Sequence, residues 1–471
     1  MKSPQKKKFP KTPTGIAGLD EVTEGGFPKG RPTLVCGTAG CGKTLMAVQF
    51  LVKGITDYNE PGVFMSFEES SQDLAQNVTS LGFDLDKLVS TKKLKIDYVR
   101  IERSEIEETG EYDLEGLFIR LNYAIDSIGA KRVVLDTIES LFGGIENTAL
   151  LRSEIRRLFQ WLKQKGVTAI ITGERGDNTL TRQGLEEYVS DCVILLDFRV
   201  TEQIATRRLR IVKYRGSTHG TNEYPFLIDE KGISVLPITS LKLEYGTSTQ
   251  VVSTGLPVLD KLFKNGGFYK GSSILLTGAA GTSKTILAGY FAQGACKRKE
   301  RVLYFSFEES PDQLIRNMAS VGINFKPYLK SKLLHLHASR PSLQGLEMHL
   351  LVLSNLVAEF KPTTIIVDPI SSLITIGSNT EVRAMLVRLI DMFKVSGINA
   401  LFTWLTHEAT SNTVDLGVDA VSSLADTWIK LRNDECNGER VRNLTVVKSR
   451  GMGHTSKVHE FTISEKGIEF N

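Results

Sequence analysis

The 471-residue sequence repeats itself once, with a period of about 240 residues. Thr14-Gly15 through Gly18-Leu19-Asp20 returns as Thr254-Gly255 through Leu259-Asp260. Gly25-Gly26-Phe27-Pro28-Lys29-Gly30 returns as Gly266-Gly267-Phe268-Tyr269-Lys270-Gly271, and Ser66-Phe67-Glu68-Glu69-Ser70 as Ser306-Phe307-Glu308-Glu309-Ser310. Near the end of each copy, Glu230-Lys231-Gly232-Ile233 matches Glu465-Lys466-Gly467-Ile468. A period this long belongs to a whole domain rather than to a solenoid unit. The expected organisation is a basic, disordered leader (1–13), a first domain (14–236), a linker (237–253) with the polar run Tyr245-Gly246-Thr247-Ser248-Thr249-Gln250, and a second domain (254–471).

Each copy carries a phosphate-binding loop. Gly37-Thr38-Ala39-Gly40-Cys41-Gly42-Lys43-Thr44 fits G-x-x-x-x-G-K-[ST] at every specified position. The apolar run Pro32–Cys36 before it predicts a strand, and Leu45–Val52 after it a helix. Glycines let backbone N–H groups converge on a polyphosphate, and the helix N-terminus adds partial positive charge. Lys43 would reach the outer phosphates and the Thr44 hydroxyl would hold Mg²⁺. The second loop, Gly278-Ala279-Ala280-Gly281-Thr282-Ser283-Lys284-Thr285, has Ser283 where the final glycine belongs. Serine still offers its backbone N–H if its φ/ψ is compatible.

Between these landmarks apolar strands alternate with helices: Gly62–Phe67, Val133–Leu135 and Val167–Ile171 as strands, Arg152–Lys165 as a helix closed by Gly166. That order predicts an α/β core with a largely parallel sheet covered on both faces. Each copy ends in antiparallel strands; Trp428–Arg432 and Val441–Lys448 flank Asn437-Gly438, a hairpin signal. A net charge of +4 does not argue for nucleic acid, no run is long enough to span a membrane, and five scattered cysteines suit reduced thiols in a cytosol.

Three further sets bear chemistry. Asp136 and Asp368 each end an apolar strand, where a carboxylate can organise the Mg²⁺ shell; alone, each would be an ordinary strand-end aspartate. The pairs Glu68-Glu69 and Glu308-Glu309 close the strand after the loop helix. Such a pair can take a proton from a nucleophile, or simply favour the N-terminus of the next helix, which Ser310-Pro311 signals. The expected catalytic group is the first member of each pair. Finally, Lys213-Tyr214-Arg215-Gly216-Ser217-Thr218-His219 and Lys448-Ser449-Arg450-Gly451-Met452-Gly453-His454 share a K-x-R-G-x-x-H pattern. It reads as ending an edge strand and projecting Lys213, Arg215 and His219, or Lys448, Arg450 and His454, to a neighbour's phosphate site; a solvated basic turn is the plainer reading.

Taken together, these elements resemble the KaiC family of circadian clocks, double-domain ATPases and autokinases within the RecA-like superfamily. The resemblance runs from about Thr14 to the C-terminus. It implies tandem RecA-like domains forming two stacked rings of six, ATP and Mg²⁺ held between neighbouring subunits, a slow ATPase in the first domain and phosphoryl transfer to adjacent hydroxyls in the second. In Val421-Ser422-Ser423-Leu424-Ala425-Asp426-Thr427 it places Ser422 and Ser423 at the acceptor positions. The first copy reads Glu187-Tyr188-Val189-Ser190-Asp191 in the same frame, so only the second has two small hydroxyls there.

In the clock members a tail beyond the second domain binds KaiA, whereas this sequence stops at Asn471, which puts activation by that route in doubt. A KaiB-like protein on the first ring is the partner the resemblance leaves open. Two other readings stand beside it: a DNA-dependent recombinase on the same fold, which would show DNA-stimulated turnover, and a scaffold that binds ATP only to assemble.

Overall fold

The computed structural model describes residues 9–99, 114–142, 147–176, 180–181, 190–201, 204–237, 248–377, 379–406, 422–436, 439–464 and 467–470. The chain separates into two compact units, Met1–Ser240 and Leu241–Asn471.

In the first unit the strands, in chain order, are β1 (Lys11–Thr12), β2 (Phe27–Pro28), β3 (Pro32–Gly37), β4 (Gly62–Ser66), β5 (Leu94–Tyr98), β6 (Arg132–Asp136), β7 (Thr168–Glu174), β8 (Cys192–Thr201), β9 (Ile204–Tyr214), β10 (Glu223–Asp229) and β11 (Gly232–Val235). Among the described residues, nine of them form one sheet in the order β11-β10-β9-β8-β3-β7-β6-β4-β5. From β8 to β5 every pairing is parallel, and from β8 to β11 every pairing is antiparallel. β3, β4, β6 and the apolar run of β7 are buried on both faces, the expected state of parallel strands roofed by helices. One roof is the helix Lys43–Tyr58, whose Met46, Phe50 and Leu51 pack with Phe64, Val134 and Ile170; the other includes Phe118, Leu158 and Leu162 against Leu34, Val133 and Ile171.

The second unit repeats this plan with β12 (Val251–Val252), β13 (Phe268–Tyr269), β14 (Ser273–Gly278), β15 (Val302–Ser306), β16 (Leu334–Ala338), β17 (Thr364–Asp368), β18 (Asn399–Leu405), β19 (Thr427–Cys436), β20 (Glu439–Ser449), β21 (Val458–Ser464) and β22 (Gly467–Phe470). Its nine-stranded sheet runs β16-β15-β17-β18-β14-β19-β20-β21-β22, the same order read from the other edge.

Three expectations need correction. The leader does not extend to residue 13, because Lys11–Thr12 pairs with Phe27–Pro28 and the Lys11 ammonium donates to Thr23 O at 2.5 Å over the Tyr214 ring. The linker likewise ends before Val251, which pairs with Tyr269. The K-x-R-G-x-x-H clusters do not end edge strands, since β10 pairs beyond β9 and β21 beyond β20. The antiparallel wing is longer than the sequence reading allowed. Residues 1–8 of the leader, Glu187-Tyr188-Val189, Val421, the run Tyr245–Thr247, Asn437-Gly438 and Glu465-Lys466 lie outside the described residues. The strands flanking Asn437-Gly438 pair up to Cys436 and Glu439.

Candidate nucleotide sites

β3 runs straight into the first loop, and the helix Lys43–Tyr58 leaves it. Gly40 and Gly42 take φ of 72° and 103°, a region that favours glycine, and so turn the loop back over the helix N-terminus. Lys43 is buried, and its ammonium donates to Gly37 O and Thr38 O, both at 3.0 Å. The loop thus holds its own cation against the carbonyls at its start. A cavity of about 270 Å³ opens beside it, lined among others by Gly42, Lys43, Thr44, Glu69 and Asn77.

Strand register brings the carboxylates in. Ser66 pairs with Asp136 at the carboxyl ends of β4 and β6, so Glu68 and Glu69 follow beside Asp136. The Thr44 hydroxyl donates to Asp136 Oδ2 at 2.9 Å, while Thr172 donates to Oδ1. Burial pushes the Asp136 carboxyl above its usual range, the Thr172 and Thr44 hydrogen bonds oppose this, and the charges of Glu68 and Glu69 add to it. A hydroxyl and a carboxylate in contact beside a lysine form the hard-oxygen donor set that fits Mg²⁺. Glu68 Oε1 accepts from Thr137 at 2.7 Å and from Ser140 at 2.6 Å. Glu69 instead accepts from Asn77 Nδ2 at 3.4 Å, and Ser66 Oγ and the Glu69 backbone exchange hydrogen bonds.

The second unit builds the same frame. Lys284 donates to Gly278 O and Ala279 O at 2.8 Å, and its pKa is lowered by burial, with Asp368 and Glu308 opposing. Ser283 takes φ 75° and ψ 28°, so the serine adopts the left-handed conformation that glycine has in the first loop. Ser306 pairs with Asp368, Glu308 Oε1 accepts from Ser372 at 2.9 Å, and Glu309 accepts from Asn317 at 3.2 Å. Burial raises the Glu309 carboxyl above its ordinary range. Asp368 accepts from Thr403 at Oδ1 and from the buried Tyr304 hydroxyl at Oδ2, 2.6 Å away.

The basic clusters and the serine pair lie elsewhere. Cys192 pairs with both Thr33 and Tyr214, so Lys213 and Arg215 sit by the amino-terminal end of β3, whereas the loop follows its carboxyl end. In the second unit Thr427 pairs with Ile274 and Ser449, which places Lys448, Arg450 and the Ser422-Ser423 segment at the same amino-terminal edge. A six-residue strand separates the two edges by roughly 20 Å. Lys448 Nζ donates to Ser422 O at 2.6 Å and Arg450 to Ser423 O at 2.5 Å; Ser422 is buried and Ser423 exposed. Arg215 instead lies 3.7 Å from Asp191, which also takes Lys163 at 2.7 Å. His219 and His454 contact the carbonyls of Gly220 and Thr455, at 2.8 and 2.9 Å.

A family model, the KaiC ATPase, matches twice, over residues 12–240 and 252–471. The chain belongs to the KaiC family. It is 56% identical over 459 residues to the circadian clock protein KaiC2 of Synechocystis sp., covering 98% of this chain and 81% of that one. It is 40% identical to the circadian clock oscillator protein KaiC of Thermosynechococcus vestitus, over 98% of this chain and 88% of the relative. The corresponding protein of Synechococcus elongatus is also 40% identical, over 96% and 88%. Its two domains are thus tandem RecA-like ATPase folds of the KaiC type.

Several residues of this KaiC-family site escaped the sequence reading. Thr137 and Ser140 hold Glu68, Ser372 holds Glu308, and Thr172 and Thr403 hold the strand-end aspartates. The signal for the last two was present: each threonine recurs at the same place in the strand after the aspartate strand, polar within an apolar run. Tyr304 gave no such signal, because a tyrosine in an apolar strand reads as core.

Proposed function

We propose that the chain is an ATP-hydrolysing, self-phosphorylating serine kinase working as a homohexamer of two stacked rings. Its first domain hydrolyses ATP and its second transfers phosphate to Ser422 and Ser423. The observation carrying this reading is the placement of the acceptor serines and basic clusters at the sheet edge opposite their own loop. Ser422 and its own loop lie at opposite ends of β14, which supports a reading in which the acceptor meets a neighbour's nucleotide. An ammonium has three N–H donors and a guanidinium five. Lys448 and Arg450 can therefore fix the acceptor backbone and also meet a neighbour's phosphate; Lys213, Arg215, His219 and His454 take the corresponding outward role.

In the second domain the loop amides and Lys284 bind the triphosphate, with Thr285 and Asp368 holding Mg²⁺. Mg²⁺ held there would supply positive charge against the negative charge that develops on transfer. Glu308, oriented by Ser372, accepts the hydroxyl proton of Ser422 or Ser423 as the serine oxygen bonds to the γ-phosphorus and ADP departs. In the first domain Glu68 takes a proton from water in the same geometry, giving ADP and phosphate. Glu69 and Glu309, held by Asn77 and Asn317, support the first carboxylate of each pair. The relatives' names place them in circadian clocks, which supports a timing or signalling role; a cytoplasmic location and a KaiB-like partner for the first ring belong to the same reading and do not rest on those names.

Phosphopeptide mapping by mass spectrometry after incubation with Mg²⁺-ATP tests the kinase. Phosphate on Ser422 or Ser423, lost in Glu308→Gln while ATP remains bound, is expected. Turnover without phosphate on either serine would reduce the protein to a two-domain ATPase; DNA-stimulated turnover would favour a recombinase, and assembly without turnover a scaffold.

A further inference from the structure

The two metal-organising carboxylates are built alike except at one oxygen. Oδ1 of each accepts from a threonine on the neighbouring strand, Thr172 or Thr403. Oδ2 of Asp136 accepts the loop hydroxyl of Thr44, the group that would ligate Mg²⁺, whereas Oδ2 of Asp368 accepts the phenol of Tyr304 at 2.6 Å. Tyr304 is fully buried in β15, in the apolar cluster with Leu287 and Phe291 of the loop helix. It pairs with Ile366, two residues before Asp368 on the same side of the sheet, which aims its ring along the strand at the carboxylate. The matching residue in β4 is Phe64, paired with Val134, two residues before Asp136. A phenylalanine has no donor to offer. The difference between the two carboxylates therefore follows from a single oxygen atom in the sequence.

We infer that Tyr304 is a positioning residue that loosens the hold of the second nucleotide site on Mg²⁺ relative to the first. A hydrogen bond from a buried phenol draws electron density from the carboxylate oxygen that accepts it and occupies a lone pair that metal-bound water would use. At 2.6 Å from Asp368 Oδ2 the Tyr304 hydroxyl is the donor, since a carboxylate oxygen accepts. In the first domain the same oxygen instead binds the metal-ligating hydroxyl and draws the two metal-facing groups together. The second domain thus needs more Mg²⁺ to retain the same nucleotide, and its site empties first when Mg²⁺ falls. This inference rests on the reading that both sites take Mg²⁺-ATP.

The test is the Mg²⁺ dependence of nucleotide retention, read with a fluorescent ATP analogue on the full chain, for wild type, Tyr304→Phe and Phe64→Tyr. Tyr304→Phe should lower the Mg²⁺ midpoint of the second site by about three- to tenfold, the size of one ordinary net hydrogen bond. Phe64→Tyr should move the first site's midpoint upward, in the opposite sense. A merely structural role for Tyr304 would change melting temperature and leave both midpoints in place. Equal midpoints in all three proteins, or shifts of the same sign in both variants, overturn the inference while leaving nucleotide binding intact. Failure of wild type to retain the analogue at any Mg²⁺ concentration would instead remove the nucleotide reading and this inference with it.

Discussion

Among the described residues, the first domain grips its leading glutamate with two hydroxyls and the second with one. Thr137 and Ser140 both donate to Glu68 Oε1, whereas Ser372 donates to Glu308 and the residue matching Thr137 is Pro369, which has no hydroxyl. A carboxylate with two fixed donors has one orientation, suited to a small nucleophile such as water that brings no positioning of its own. A carboxylate with one donor can turn toward a hydroxyl delivered on another chain. Duplication preserved the backbone frame, and single side chains around it account for the different tasks proposed for the two halves.

The largest expected effect separates those tasks. Glu68→Gln keeps the shape and removes the proposed base, so steady-state ATP turnover should fall by about two orders of magnitude or more. Phosphate incorporation at Ser422 and Ser423 should persist. If turnover and phosphorylation fall together, the halves do not divide the chemistry and the comparison collapses.

Thr137→Val asks how much of the first domain's grip comes from the second hydroxyl. It deletes one hydrogen bond to Glu68 with little change of volume, and the Thr137 side chain is largely buried. Loss of one charge-assisted hydrogen bond should lower turnover roughly tenfold, with nucleotide affinity nearly unchanged. A rise in KM alone, at constant kcat, would show that Thr137 serves binding rather than the orientation of Glu68.

The loops offer a smaller contrast. Ser283 sits at φ 75° where Gly42 sits at 103°, and a Cβ added at Gly42 would come 3.1 Å from Ile228 Cδ1. A left-handed conformation costs a residue with a Cβ about 1 kcal/mol. Ser283→Gly should therefore stabilise the second loop and tighten its nucleotide by up to about fivefold, while Gly42→Ser weakens the first site by more. Equilibrium nucleotide binding to the two variants distinguishes this from a loop that tolerates serine freely.

What the sequence made legible was whatever depends on order along the chain. The repeat, the two loops, the strand-ending Asp136 and Asp368 and the Ser310 cap were all readable, the last seen as a capping box with Gln313. Each is a local pattern whose meaning does not need a partner from elsewhere. The hydroxyls on Glu68, the phenol on Asp368 and the lysine and arginine on the Ser422 and Ser423 carbonyls were not readable, because each joins residues brought together only by strand register, parallel for the carboxylates and antiparallel for Lys448 and Arg450. The edge-strand reading of the basic clusters failed for a related reason. Pro225 inside Glu223–Asp229 argues against a strand there, and Val458–Ser464 is short with His459 and Glu460 adjacent, so neither run announced a further strand.

The smallest expected effect concerns pH. Counting back from the strand-end aspartates, His349 of the second domain stands where the first has Leu117. His349 is 1% exposed, its Nε2 donates to Pro341 O at 3.0 Å, and its ring lies edge-on to Phe307, immediately before Glu308. Burial lowers its pKa below the ordinary histidine value, the Pro341 and Gln344 backbone contacts opposing. Nearby His337, also depressed by burial, lies tilted against Phe305 with ring centroids 4.7 Å apart. The sign follows from linkage: as pH falls below the ordinary value the unfolded chain takes up a proton that folded His349 refuses, so stability is lost toward acid. The slope contributed by one such histidine is at most about 1.4 kcal/mol per pH unit. His349→Leu, which installs the first domain's residue, should flatten the fall in melting temperature of the second domain between about pH 7 and about pH 5.5 while leaving the first domain's unchanged. An unchanged slope in the variant would assign the acid sensitivity to His337 and return His349 to the role of a packed ring holding Phe307 in place.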